Sequence, residues 1–167
     1  MDKERLWELV NEATYQKGNF TLRSGEHTDH YYDKYKFESD PQLLKEIAKQ
    51  MAPLIPRGTE IIAGPVLGGA ILATSLSLET GIKTAFIRQE AKAYGGSKII
   101  EGENVTGKKV CISEDIITTG GQAIEAARKI RAEGGIVDTV ICVINRGQNS
   151  VANLEKENLK LIPLFPL

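Results

Sequence analysis

The sequence predicts an α/β fold with a mainly parallel sheet that is covered by helices on both faces. Short apolar runs, typical of buried strands, alternate with longer segments whose apolar residues recur at helical spacing. This alternation is typical of parallel sheets, because a helix returns the chain from the end of one strand to the start of the next. The length of 167 residues fits one domain with a substantial core. We therefore expect a single domain over residues 1–167.

The first half of the chain carries signals for three helices and two strands. Asp40 and Pro41 suit the N-cap and the first turn of the second helix. Gly81 follows the third helix and is expected to end it. The predicted segments are helix 2–17, helix 41–51, strand 60–63, helix 70–79 and strand 84–87.

The second half begins with a polar, glycine-containing segment over residues 89–107 and then returns to alternating elements. These are strand 109–113, helix 121–133, strand 137–144, helix 151–157 and strand 160–165. Cys111 and Cys142 both lie in apolar, strand-like runs, where cysteine is usually a small core residue. Two such cysteines do not form a disulfide framework.

Charge and hydropathy patterning exclude several classes of protein. The net charge is −1, with Lys and Arg scattered through the sequence, so there is no electrostatic case for binding to nucleic acid or a membrane surface. No apolar stretch approaches the roughly 20 residues that span a bilayer. Residues 1–5 lack the hydrophobic segment of a signal peptide. A cytoplasmic location is the default expectation.

Residues 110–122 carry the strongest functional signal. They join a short strand, the adjacent carboxylates Glu114 and Asp115, a turn rich in Thr and Gly, and the start of a helix. Ligands of α/β sheets bind at the carboxyl ends of strands, and backbone N–H groups at a helix N-terminus bind anions. The carboxylates suit sugar hydroxyls rather than phosphate, because like charges repel. The run therefore predicts a site for a phosphorylated ribose.

This ordered run resembles the phosphoribosyl-pyrophosphate (PRPP) signature of the type I phosphoribosyltransferases. Other segments are similar to the orotate phosphoribosyltransferase family and occur in the same order along the chain. They are Phe20–Gly25 with Tyr31–Asp33, Ile87–Gly95 with Ile100–Gly102, and Val143–Gly147. The resemblance implies a five-stranded parallel sheet with a small hood mainly within residues 1–40. It also implies that orotate and PRPP react to give orotidine 5′-monophosphate and pyrophosphate in pyrimidine synthesis.

The same resemblance implies roles for individual residues. Glu114 and Asp115 would bind the ribose hydroxyls, and Lys92 and Asp115 would be the catalytic residues. Arg146 would pair with the orotate carboxylate, since a guanidinium binds a carboxylate through two hydrogen bonds. Either Tyr31 or Tyr32 would stack on the base.

The remaining implied contacts surround the phosphate groups of PRPP. Lys92 would also neutralise pyrophosphate, on a loop that closes over the site. The other implied substrate contacts are Arg23, Gly68, Gly69, Arg88, Gln89, Tyr94, Ile117, Thr118, Thr119, Gly120, Gly121 and Gln122. Gly68 and Gly69 belong to a loop whose backbone amides would approach the pyrophosphate closely.

The expected cofactor is Mg²⁺, which would enter with PRPP rather than occupy a site made by protein side chains. His27 and His30 lack acidic or thiol partners at metal spacing, so no metal site is expected there. The family also implies a homodimer with shared active sites, in which the loop bearing Lys92 reaches the PRPP bound by the neighbouring subunit.

Five positions depart from the usual family residues. Arg23 replaces Lys, Gln89 replaces a basic residue, Tyr94 replaces His, Gln122 replaces Ser, and Asn145 replaces Asp. These changes leave the acidic pair intact but alter the surroundings of pyrophosphate and base. Two alternatives therefore remain: a transferase of the same fold acting on another base, such as a purine, or a non-enzymatic module that senses PRPP or a nucleotide.

Overall fold

The chain forms two compact units, Met1–Ile47 and Ala48–Leu167. The computed structural model describes residues 1–21, 25, 27–91 and 98–167. A single domain with a hood mainly within residues 1–40 stays a prediction.

The amino-terminal unit contains an antiparallel hairpin flanked in sequence by helices. Its elements are α1 (Lys3–Thr14), β1 (Tyr15–Thr21), β2 (His27–Tyr32), α2 (Tyr35–Glu38) and α3 (Pro41–Met51), the last of which continues into the second unit. The Asp40 carboxylate accepts hydrogen bonds from the backbone N–H groups of Gln42 (2.9 Å) and Leu43 (3.1 Å). It therefore caps α3 as predicted.

The predicted helix 2–17 is too long at its carboxyl end. Helix α1 ends at Thr14, and Tyr15 pairs instead with Tyr32 across the hairpin. Aromatic residues favour strands, and pairing with a second strand supplies Tyr15–Lys17 with backbone hydrogen bonds that a longer helix would have to replace. Pairing between distant residues overrides the local helical pattern here.

The carboxyl-terminal unit is an α/β sheet with its connecting helices. After a single 3₁₀ turn at Ala52–Leu54, its elements are β3 (Ile61–Pro65), α4 (Gly68–Thr80), β4 (Lys83–Ile87), β5 (Ile100–Gly102), β6 (Lys109–Ile117), α5 (Gly121–Ala132), β7 (Ile136–Asn145), α6 (Ser150–Glu155) and β8 (Lys160–Pro166). In the described residues the strand order is β5-β4-β3-β6-β7-β8. The predicted mainly parallel sheet of five strands is confirmed. The sequence did not predict β5, which pairs antiparallel with β4 within the segment 89–107.

The order in which successive strands join the sheet reverses between β3 and β6. From β3 the chain crosses through α4 to β4, towards one edge of the sheet. From β6 it crosses through α5 to β7, towards the opposite edge. The carboxyl ends of β3 and β6 thus lie at a topological switch point, the usual place for a ligand in an open α/β sheet. The loops after these two strands are the ones that the sequence assigns to PRPP.

A continuous apolar core supports this edge of the sheet. Helix α5 buries Ala123, Ala127 and Ile130 in a cluster that also contains Ile112 and Val140 from the strands. Small residues on the helix allow it to lie close to the sheet, which fixes where its N-terminus emerges. No helix in the described ranges has both the length and the apolar character that a membrane crossing requires.

Candidate active site

The acidic pair lies inside strand β6. The predicted strand 109–113 is too short, because pairing with β7 continues from Glu114, opposite Cys142, to Ile117. Glu114 is 4% exposed and Asp115 is 2% exposed, so neither carboxylate lies at an exposed strand end. Burial in the sheet holds both carboxylates in fixed positions.

The turn after β6 forms a small pocket at the start of helix α5. Gly120 adopts a left-handed conformation (φ +85°) and is the N-cap residue of the helix. A glycine cap places no side chain over the first N–H groups of the helix, which have no partner within the helix itself. The pocket measures about 170 Å³ and is lined by Glu114, Ile116, Ile117, Thr118, Thr119, Gly120, Gly121, Gln122 and Ala123. It joins a carboxylate to an anion-binding helix end.

The loop after β3 passes directly beside the acidic pair. The Ser113 hydroxyl donates to the Gly69 carbonyl over 3.2 Å. A Cβ atom at Gly69 would lie 2.6 Å from the Ser113 carbonyl oxygen and 3.3 Å from Glu114 Oε2. Only glycine therefore fits at position 69 without displacing the backbone. The predicted contacts Gly68 and Gly69 are both buried at this junction.

A second turn holds the backbone of Arg146 beside the end of β6, next to the turn Thr118–Gly121, which we call the phosphate turn because the family resemblance assigns the 5′-phosphate to it. The backbone N–H of Arg146 donates to the Ile117 carbonyl over 2.8 Å. The side-chain oxygen of Asn145 accepts hydrogen bonds from the Ser150 hydroxyl (2.7 Å) and the Gly147 N–H (3.3 Å). Any side chain at Gly147 would overlap the carbonyl of Thr118. Asn145 thus shapes the turn by accepting hydrogen bonds, a role that requires no charge.

Helix α6 supports the phosphate turn from behind, which the sequence analysis missed. Asn153 donates from Nδ2 to the Thr119 carbonyl over 3.0 Å, and Leu154 lies against Gly120. The only sequence signal is indirect, since Gly147 immediately after the matched Arg146 indicates a close approach of two backbones. Nothing in the spacing of Asn153 identifies its distant partner.

The other predicted site residues lie on different parts of the chain. Arg88 and Gln89 follow β4, where Arg88 is half-buried and Gln89 is exposed. Tyr31 and Tyr32 are on β2 in the amino-terminal unit, where Tyr31 is 41% exposed and its ring lies 5.5 Å from that of Phe20. Arg23, Lys92 and Tyr94 lie outside the described residues.

The two cysteines are buried free thiols, as predicted. Burial raises the pKa of Cys111 from 9.0 to about 12, and the charge of Asp138 adds to the shift. Burial also raises the pKa of Cys142, with further contributions from the carboxylates Glu114 and Asp115. Both thiols are therefore protonated at neutral pH and serve as core residues rather than nucleophiles.

Neither thiol should react with a thiol-specific disulfide reagent at pH 8 while the protein is folded. With the pKa of Cys111 at about 12, roughly one molecule in ten thousand carries the thiolate at that pH. In urea both thiols should react. Because the pKa of Cys111 is raised in the folded state, its buried thiol contributes fully to the free energy of unfolding below about pH 9. That contribution is lost as the pH rises through about 12. Fast labelling of the folded protein at pH 8 would contradict this assignment.

Glu114 and Asp115 are the residues of this site that could contribute to holding a magnesium ion. Within the described ranges, no three His, Cys, Asp or Glu side chains cluster as a ligand set. Two adjacent carboxylates, Glu114 and Asp115, precede the turn at the start of α5, where backbone N–H groups could bind an anion. Mg²⁺ commonly uses one or two carboxylates together with substrate phosphates, which is the combination that this site could supply.

Comparison with known proteins agrees with this geometry. No protein-family model matches the chain. The chain is 46% identical over 148 residues to orotate phosphoribosyltransferase from a Nocardioides strain, covering 89% of this chain and 83% of that protein. A crystal structure of Mycobacterium tuberculosis orotate phosphoribosyltransferase with Fe(III) dicitrate has 30% identity and a TM-score of 0.91, covering 100% of this chain and 97% of that one. The same enzyme in complex with PRPP has 28% identity and a TM-score of 0.85, with the same coverage. The chain belongs to the orotate phosphoribosyltransferase family.

Proposed function

We propose that this enzyme transfers the phosphoribosyl group of PRPP to orotate, producing orotidine 5′-monophosphate and pyrophosphate for pyrimidine synthesis. The observation that carries the proposal is the buried pair Glu114–Asp115, which runs directly into the pocket at the N-terminus of α5. One site thus offers acceptors for sugar hydroxyls and donors for a phosphate. The named activity of the relatives and the PRPP complex of the Mycobacterium tuberculosis enzyme support the same substrate.

The ribose 5-phosphate end of PRPP would occupy the pocket after β6. Glu114 and Asp115 would accept hydrogen bonds from the 2′ and 3′ hydroxyls, and charge-assisted bonds of this kind are stronger than neutral ones. The 5′-phosphate would be bound by the turn Thr118–Gln122 and the first N–H groups of α5. The contact from Asn153 of α6 holds this turn in place before PRPP binds. Less conformational entropy is therefore lost when PRPP orders the turn.

The pyrophosphate would lie between the loop after β3 and the end of β4. The absence of side chains at Gly68 and Gly69 lets the backbone approach oxygen atoms closely. Arg88 follows β4, whose neighbour in the sheet is β3, so its guanidinium is available to the same region. Lys92 would add a second positive charge.

The base would be selected by charge and by stacking. The exposed Arg146 stands on a turn bonded to Ile117, next to the phosphate turn, where it could pair with the carboxylate of orotate. Neutral bases lack that carboxylate, so Arg146 would favour orotate over uracil. Either Tyr31 or Tyr32 would stack on the ring.

The protein would accelerate the reaction mainly by positioning and electrostatic stabilisation. As pyrophosphate leaves, C1′ of the ribose gains positive charge, and the nitrogen of orotate attacks from the opposite face. The carboxylates hold the ribose, while the cations of the pyrophosphate region stabilise the leaving group. Mg²⁺ bound to PRPP would supply Lewis acidity to the pyrophosphate oxygens.

A homodimer with shared active sites and a cytoplasmic location complete the proposal. In a symmetric dimer the same surface of each subunit meets its copy, which generates two equivalent composite sites. Lys92 of one subunit would then serve the PRPP bound to the acids of the other. Two free thiols are typical of a reducing compartment.

The test is a panel of bases incubated separately with PRPP and Mg²⁺, with release of pyrophosphate as the measurement. Orotate should support turnover, whereas uracil, adenine and hypoxanthine should not. The variant Arg146→Ala should raise the KM for orotate by about tenfold or more, as expected when a carboxylate loses a charged partner. Turnover with a purine instead would support the other-base alternative. Binding of PRPP without turnover of any base would support the sensing module.

A further inference from the structure

Lys129 on α5 makes three polar contacts, two of which are to backbone carbonyls. Its ammonium donates to the backbone carbonyls of Arg88 (3.0 Å) and Gln89 (2.9 Å). It also forms an ion pair with Glu125 one turn earlier, at 2.5 Å. A lysine ammonium has three N–H donors, so three acceptors satisfy it completely. Its side chain is only 19% exposed.

The two carbonyls mark the place where the chain leaves β4. Arg88 and Gln89 come directly after the last residue of that strand, and the N–H of Arg88 donates to the Ile99 carbonyl over 2.9 Å. Lys129 therefore holds the carbonyl groups of Arg88 and Gln89, while Ile99 holds the N–H group of Arg88. Together they set the direction in which the Arg88 side chain can extend.

Lys129 and the phosphate turn belong to the same helix. Helix α5 begins at Gly121 in the pocket wall and carries Lys129 two turns later. Because a helix is stiff, the ammonium ties the end of β4 to the element that would bind the 5′-phosphate. The ion pair between Lys83 and Glu103 differs, since it joins two side chains and the Lys83 side chain is 72% exposed.

We propose that Lys129 is a positioning residue for the pyrophosphate side of the site. It holds the backbone of Arg88 and Gln89 at a fixed distance from the phosphate turn, so that Arg88 meets the pyrophosphate of a PRPP whose other end is bound at α5. The proposal rests on the proposed role of Arg88. It predicts an effect on PRPP rather than on orotate.

The test compares Lys129→Met with Lys129→Arg and with the control Lys83→Met. Methionine keeps much of the length but has no donors, whereas arginine keeps the charge and the donors. Lys129→Met should lower kcat/KM for PRPP about tenfold, as expected for loss of charged hydrogen bonds, with KM for orotate changed less than about twofold. Lys129→Arg should recover most of the loss. Lys83→Met should match the parent enzyme.

Hydrogen–deuterium exchange of residues 88–91 provides a readout that does not depend on turnover. The backbone amides there should exchange faster in Lys129→Met and at the parent rate in Lys83→Met, because only the former releases the end of β4. This result would support the role of Lys129 in holding the end of β4 even if orotate proved not to be the base. Unchanged exchange, or equal losses for PRPP and orotate with no recovery in Lys129→Arg, would overturn the proposal.

Discussion

Replacing Asp115 with Asn should lower kcat/KM for PRPP by about 10- to 150-fold, the loss expected when a charged hydrogen bond to substrate is removed. Asparagine keeps the shape of the side chain and an oxygen that can accept from the N–H of Ile116, as Asp115 does at 2.5 Å. The fold should therefore persist. Titration calorimetry with PRPP and Mg²⁺, alongside steady-state kinetics, measures the effect.

Asp138→Asn is a matched control for this substitution. Asp138 is an exposed acid on the neighbouring strand β7, and its carboxylate accepts a hydrogen bond from the Thr139 hydroxyl. Its loss of charge should leave PRPP binding and turnover at the parent level. If Asp115→Asn also retained the parent affinity and turnover, Asp115 could not be a ribose ligand.

Mixing two defective proteins should restore activity if the sites are shared. One parent carries Lys92→Ala, and the other carries Glu114→Gln with Asp115→Asn. In a mixed dimer one composite site receives both lesions and the other receives neither. With random reassortment about half of the dimers are mixed, each with one intact site, so about a quarter of the wild-type activity should appear. Turnover before and after subunit exchange is the measurement.

Subunit exchange has to be demonstrated independently, by recovering untagged subunits with tagged ones. Each parent alone sets the background, which should lie well below a quarter of the wild-type activity. If exchange occurs and activity stays at that background, each chain completes its own site, and Lys92 acts beside the acids of its own subunit.

The sequence predicts most of the helices and strands well because its signals are local. Strands such as 137–144 are apolar runs bounded by glycine or charge, and helix 41–51 begins with a capping Asp40 that the structure confirms. The errors occur where pairing with a strand that is distant in sequence determines the secondary structure. Tyr15–Lys17 follow a helical pattern but join β1, and β5 is too short and polar to be recognised.

The sequence predicts which residues form the candidate site, but it does not predict how deeply they are buried or which distant residues they contact. Glu114, Asp115 and the turn after them are contiguous in sequence, so the motif alone locates them. Their burial was not predictable, since it depends on how far β7 extends beside β6. The contacts of Asn153 and Lys129 join residues 34 to 41 positions apart, and no local pattern encodes such pairs.

A crystal structure of the enzyme with PRPP and Mg²⁺ is the most direct test of the central claim, that β6 and the turn after it bind the phosphoribosyl group. The 5′-phosphate should lie within hydrogen-bonding distance of the backbone N–H groups at the start of α5, in the pocket of about 170 Å³. Glu114 and Asp115 should accept from the ribose hydroxyls. A PRPP molecule bound elsewhere, with this pocket and the acidic pair free of substrate, would contradict the account.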